Sequence, residues 1–311
     1  MSYEPYPGES PEKKIARALF YMRAKTLMDV VGVRGGKVVT LSGDGIEFDL
    51  FANFLRVSPH DMVFVDHCLV KNSTVVDPVK VKVLEDLKKR SSIVNTFRGD
   101  MLEYLKKNKD PIRMINLDFM GHYKMDYTDK ILIHVDRVLV KGGIVAFTFM
   151  RGRETADMKH WPMLKKMAID YISDRGAKIN EKQARDAIRF YGYEELFNRI
   201  LGNDYRLVLH LRYARKEKGV DGGYGMGVIM FQKIPSYLRG TSWNDALREA
   251  KFKEMESGII DSQEVGTRLR NIVLHLIESD MDSASIAGLF GMKRTSIGAY
   301  KANLTRQQEM T

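Results

Sequence analysis

Three positions in the first hundred residues have the types and spacing to hold a nucleoside. Ser42-Gly43-Asp44-Gly45 follows the apolar run Val38–Leu41, Asp66 closes the run Met62–Val65, and Asp100 follows Ser92–Thr96. A glycine turn lets a ligand approach the backbone, an acid on the next strand accepts the two ribose hydroxyls, and a polar residue after the third strand holds a base. The step from Gly45 to Asp66 is close to the ~20 residues expected between such a turn and its acid. His67 and Met101 adjoin Asp66 and Asp100 and are candidate contacts with them, as are Asp44 and Glu47 beside the turn. A dinucleotide fits less well. Phe48 stands where a third glycine or alanine would be needed, and Asp44 and Glu47 would repel its phosphates. The alternative is a purely structural turn capped by Asp44.

A second constellation follows Ile112–Leu117 and reads Asn116-Leu117-Asp118-Phe119-Met120-Gly121-His122-Tyr123. Asp118 would accept a proton or hydrogen bond from an attacking amine, and His122 would serve as a base. Phe119 or Tyr123 would stack on a planar substrate. Group transfer between aligned partners relies on positioning more than on strong acids and bases. Arg151 and Arg153, after Ile144–Phe149, are candidates for gripping phosphate or a carboxylate. The plainer reading has Asp118 capping a turn, Phe119 in the core and both arginines on a solvated loop.

These residues lie at the ends of short apolar runs that alternate with helical patterns, which is how βαβ units and a parallel sheet read in sequence. Strands are expected at Val38–Leu41, Met62–Val65, Ser92–Thr96, Ile112–Leu117 and Ile144–Phe149. Helices are expected at Phe48–Leu55, after the Asp77-Pro78 start signal, and at Tyr127–Leu139, with Lys141-Gly142-Gly143 as a turn. Helices at Lys159–Asp174 and Glu181–Asn198 precede two last strands, Tyr205–Tyr213 and Gly227–Gln232, read as an antiparallel hairpin at the sheet edge. An N-terminal helix spans Ser10–Val31, with Ile15, Leu19, Met22, Leu27 and Val31 near helical spacing. From Pro235 the pattern turns wholly helical, at Ser242–Glu256, Glu264–Glu278 and a compact pair beyond. The expected division is residues 1–36, 37–235 and 236–311.

Composition narrows the partners. The 311 residues carry a net charge of +10, which favours encounters with polyanions such as nucleic acid. The single Cys68 excludes an internal disulfide framework and suits a reducing, cytoplasmic setting. No apolar run is long enough for a signal or membrane segment, so no membrane partner is expected. The seven histidines are scattered without ligand spacing, and no metal is expected.

The glycine turn, the acids at 66 and 100, and above all the segment DRVLVKGGIVAFTF (Asp136–Phe149) together resemble class I S-adenosylmethionine-dependent methyltransferases. The resemblance covers Lys37 to Lys233. It implies a doubly wound, Rossmann-like α/β fold with a seven-stranded, mostly parallel sheet, and S-adenosylmethionine as cofactor. The family's first strand usually carries an acid just before three glycines. Here VVTLSGDG has no such acid and only two glycines, so recognition of the methionine amine falls to Asp44 or Glu47. In amino-methylating DNA and RNA enzymes the loop after strand four resembles Asp/Asn-Pro-Pro-aromatic, and the prolines are missing here.

Ser283–Thr305 resembles a helix-turn-helix of the resolvase and repressor kind. Ala287 is the small residue at the crossing, Gly291 takes the turn, and Ile286, Phe290, Met292, Ile297 and Tyr300 fill a small core. Lys293, Arg294, Thr295 and Ser296 would enter a major groove. Gly298, Ala299 and Ala302 on the reading face carry no hydrogen-bonding side chains, so few base contacts are available. Three readings follow: a methyltransferase acting on nucleic acid, DNA before RNA, with the tail aiding recognition; a non-catalytic DNA-binding regulator; or a small-molecule or protein methyltransferase whose tail forms a homodimer contact.

Overall fold

The computed structural model describes residues 11–43, 45–69, 74–118, 125–150, 162–166, 169, 201–202, 204–214, 225–235, 258–260, 265–278, 281–290 and 292–309. The elements in chain order are α1 (Pro11–Val30), β1 (Lys37–Leu41), α2 (Glu47–Asn53), β2 (Met62–Asp66), α3 (Pro78–Arg90), β3 (Asn95–Arg98), α4 (Met101–Lys107), β4 (Ile112–Asp118), α5 (Met125–Val138) and β5 (Leu139–Met150). They are followed by β6 (Tyr205–Ala214), β7 (Gly225–Lys233), β8 (Gly258–Ile260), α6 (Val265–Glu278), α7 (Ser283–Phe290) and α8 (Arg294–Glu309).

The strands form one sheet in the order β3-β2-β1-β4-β5-β7-β6-β8. The pairings among β1–β5 are parallel, whereas β7 runs antiparallel to both β5 and β6. Both faces are covered, so the strands are apolar on both sides. Val38, Met114 and Ile144 enter one buried cluster with α1, α2 and α3, while Val39, Ile115 and Val145 enter the other with α4 and α5. The helices after β1 and β4 therefore leave the sheet on opposite faces. That makes the β1–β4 junction the point where a crevice opens beyond the strand ends.

All seven expected strands are present, and an eighth departs from the all-helical reading of the tail. β8 pairs in parallel with β6, Leu211 opposite Gly258, and covers what would otherwise be an open edge of unpaired backbone groups. β3 begins three residues later than its apolar run suggested. Ser91 closes α3 through its amide to Leu87, and the turn bonding Val94 to Ser91 uses the residues read as strand. Lys141-Gly142-Gly143 is not a turn before β5 but an irregularity inside it. Register jumps from Ile112–Leu139 to Met114–Ile144, and Gly142 takes φ +81°. A Cβ there would lie 2.6 Å from Val31 Cγ2, so glycine is required on both counts.

The expected helix 159–174 is described only at 162–166 and at residue 169; those at 181–198 and 242–256 lie outside the described residues. α1 is tied to the sheet at its end, where buried Gln232 Nε2 donates to the carbonyls of Leu27 and Gly142. Its apolar face, with Ile15, Ala18 and Met22, belongs to a cluster that continues into Leu276, Ile286, Leu289 and Phe290 of α6 and α7.

Candidate functional site

The crevice at the carboxyl ends of the strands has two halves. In the first, β1 delivers Ser42 and Gly43, and β2 delivers Asp66. Gly43 (φ +51°) and Gly45 (φ +81°) both occupy left-handed conformations, and a Cβ on Gly43 would meet no atom within 4 Å. The turn thus leaves its outer side bare. Asp44 lies outside the described residues.

Asp66 is fixed by its own chain. Oδ2 accepts from Ser42 Oγ at 2.7 Å, and Oδ1 accepts from the Cys68 amide at 2.8 Å. Cys68 itself holds φ +53°, unusual for a non-glycine residue, and that conformation aims its amide back at the acid. Its thiol is buried, and burial followed by the charge of Asp66 pushes its pKa up, so it serves packing rather than nucleophilic attack. Each carboxylate oxygen has two acceptor sites. Asp66, with its side chain 14% exposed, keeps capacity for a pair of ribose hydroxyls.

His67 is half-exposed; its Nδ1 accepts from the Leu69 amide. The Gly99 amide donates to the Asp66 carbonyl and brings the β3–α4 turn alongside. Asp100 there caps α4, accepting from the Glu103 amide at 2.7 Å, while Met101 is wholly buried beneath that helix.

The second half lies at the ends of β4 and β5 and is closed by α1. Along one face the strand residues change from apolar to polar towards the crevice: Val38 to Thr40, Met114 to Asn116 and Asp118, Ile144 to Thr148. Arg17 and Tyr21, one helical turn apart on α1, face this polar patch. Arg17 Nη2 lies 3.4 Å from Glu47 Oε1 and 3.7 Å from Asp118 Oδ2. Asn116 Nδ2 donates to the Tyr21 hydroxyl at 3.0 Å, but Asn116 Oδ1 is buried with no hydrogen-bond partner, as is Thr40 Oγ1. Tyr21 is held neutral, its pKa raised well above 10 by burial and then by the charge of Glu47. The space enclosed by these groups admits about one water molecule.

Glu47, Asp66 and Asp118 are thus gathered around the crevice, while Phe119, His122, Tyr123, Arg151 and Arg153 lie outside the described residues. Arg17 and Tyr21 were missed by sequence reasoning. Their only signal is a cationic and a phenolic side chain at i and i+4 within an otherwise apolar helix. In the tail, Lys293, Arg294 and Thr295 are exposed at the start of α8 and Ser296 is half-buried. No described helix is long and apolar enough to cross a membrane, and the described residues contain no metal-ligating group.

No protein-family model matches the chain, nor does any curated protein. Among solved structures, the chain is similar to the N-methyltransferase NodS from Bradyrhizobium japonicum with S-adenosyl-l-homocysteine. That likeness is 12% identical, covers 72% of this chain and 89% of that one, and has a TM-score of 0.40. It is also similar to an rRNA methylase from Streptococcus thermophilus, at 13% identity, 70% and 97% coverage and a TM-score of 0.39. Likenesses this distant leave the weight on the strand order and on the crevice itself.

Proposed function

We propose that this chain is a methyltransferase that uses S-adenosylmethionine and acts on nucleic acid. The observation that carries the reading is Asp66, held at the end of β2 by Ser42 and the Cys68 amide beside two left-handed glycines, at the mouth of a switch-point crevice. When bound, the cofactor supplies a sulfonium-activated methyl group. Asp66 holds the ribose. Asp118, opposite Thr148 in the β4–β5 register, accepts a hydrogen bond from the acceptor amine and aligns its lone pair. α1 excludes water from the reacting end.

The net charge of +10 supports a polyanionic substrate. For the tail, 236–311, we propose a helix-turn-helix over 283–305 that aids target recognition, with DNA preferred over RNA. Lys293 and Arg294 would meet phosphates, and Thr295 and Ser296 the groove. Homodimerisation through the tail fits the symmetric operators such motifs use.

One observation favours a second reading, a non-catalytic regulator: Arg17 bridges the very acids that would serve the reaction, in a nearly closed space. Calorimetric titration with S-adenosylmethionine, beside Asp66→Ala and Asp66→Asn, separates the two. Hydrogen bonds to a charged group contribute about 1.5–3 kcal/mol each, so losing two weakens binding ~100-fold or more. No binding by the parent chain at millimolar ligand discards the enzyme and leaves the regulator. Binding lost in both variants leads to a labelled-methyl screen of DNA and RNA.

A further inference from the structure

We infer that Arg17 of α1 takes the carboxylate of the cofactor's amino-acid end and Glu47 takes its ammonium, so that the N-terminal helix recognises that end in place of the glycine turn. This rests on the cofactor reading above and deepens it.

The charge balance comes first. Arg17 faces Glu47 and Asp118, one cation between two carboxylates, which leaves the group one negative charge in excess. The Glu47 side chain is only 4% exposed, and buried excess charge is costly unless a counter-charge arrives. An ammonium supplies it. Second, one guanidinium nitrogen is shared between both acids at 3.4 and 3.7 Å, longer than the ~2.7–2.9 Å of a charge-assisted hydrogen bond. The planar fork of an arginine matches a carboxylate far better than this shared contact does.

Third, Asn116 Oδ1 is buried, without a hydrogen-bond partner, and lines the same space. An unmet buried acceptor is expensive, and an ammonium has three donors to satisfy Asn116 and Glu47 together. The first strand, KVVTL, offers no acid for this role. Arrival of the ligand carboxylate draws Arg17 from Asp118, which is thereby released towards the acceptor. Arg17 is a binding residue in this scheme, and Asp118 is switched by the same contact.

The test compares two ligands that share the adenosine and differ in the amino-acid end: S-adenosylhomocysteine, and 5′-deoxy-5′-methylthioadenosine, which lacks it. Calorimetry on the full chain is expected to show Arg17→Ala weakening S-adenosylhomocysteine more than 10-fold. Methylthioadenosine should stay within about twofold. Arg17→Lys, which keeps the charge and the packing but loses the fork, should weaken S-adenosylhomocysteine by an intermediate factor and serves as the reading if the alanine variant does not fold.

Equal weakening of both ligands, or none of either, overturns the clamp while leaving the cofactor reading intact. Binding of neither ligand by the parent chain overturns the cofactor reading, and the clamp with it.

Discussion

The two halves of the crevice are built on different plans. At the β2 end, Asp66 is held by residues within one turn of adjacent strands, through Ser42 Oγ and the Cys68 amide, with backbone conformations that fix both donors. At the β4 end, Asp118 is held by Arg17, a hundred residues earlier in the chain, on a helix that reaches the sheet only because of how it packs. A ligand contact made by backbone needs no partner to arrive. A contact made by a remote helix moves when the helix moves. The β2 end is therefore a fixed dock and the β4 end an adjustable one, with α1 as the adjusting part.

The largest effect that sharpens this contrast belongs to Asp118. If it serves the acceptor and not the cofactor, Asp118→Ala lowers methyl transfer by roughly 10²–10⁴-fold, the span of a lost acid–base or orienting group. Binding of S-adenosylmethionine should change only a few-fold. Single-turnover rates beside calorimetric affinities read the two separately. Loss of affinity with an unchanged rate would break the contrast, because Asp118 would then belong to the dock.

A smaller effect tests whether α1 is held to the sheet by its polar face. Tyr21→Phe removes the acceptor for Asn116 Nδ2 and leaves that buried amide with neither end partnered. The expected cost is about 1–3 kcal/mol in denaturant unfolding. Because burial and then Glu47 keep the phenol neutral far above pH 7, the loss should be flat across the neutral range. A loss that grows between pH 6 and 9 would mean that another group titrates against Tyr21.

How much of this was legible in the sequence follows the same division. Gly43, Gly45 and Asp66 are set by local spacing, so the turn and the acid could be read from VVTLSGDG and MVFVD alone. Glu47 could be named as an amine partner once the missing acid in β1 was noticed. Its pairing with Arg17 could not, because nothing in PEKKIARALFY says which strand ends the helix will cross. Asn116 was legible as a position but not as an unmet acceptor, which depends on what packs above it.

The misreadings have local causes. Ile93 and Val94 drew β3 early, although Ile93 is exposed and Val94 packs from a turn. β8 is three residues long, too short for alternation to register, and exists because β6 offers it an edge. Double-glycine spacing at 142–143 signals a break in regular structure equally well for a turn and for a bulge.

The smallest effect concerns what backs α1 from behind. Asp282 caps α7: its carboxylate accepts from the Ala284 and Ser285 amides, each at 2.9 Å, and from the Ser285 hydroxyl. Those bonds, the hydroxyl's foremost, hold its carboxyl below the usual carboxylate range. Asp282→Ala should cost about 1 kcal/mol, the usual value of an N-cap. A depressed native pKa means the contribution is complete above the unfolded value of ~3.9 and disappears as pH falls through the lower native one. Urea unfolding at pH 7 and at pH 3 should therefore show the gap between parent and variant narrowing in acid. Because α7 shares its buried cluster with α1 and not with the Ser42–Asp66 pair, methylthioadenosine affinity should stay within about twofold. A weakened nucleoside would show that the β2 end also leans on the tail, and the fixed dock would then be adjustable too.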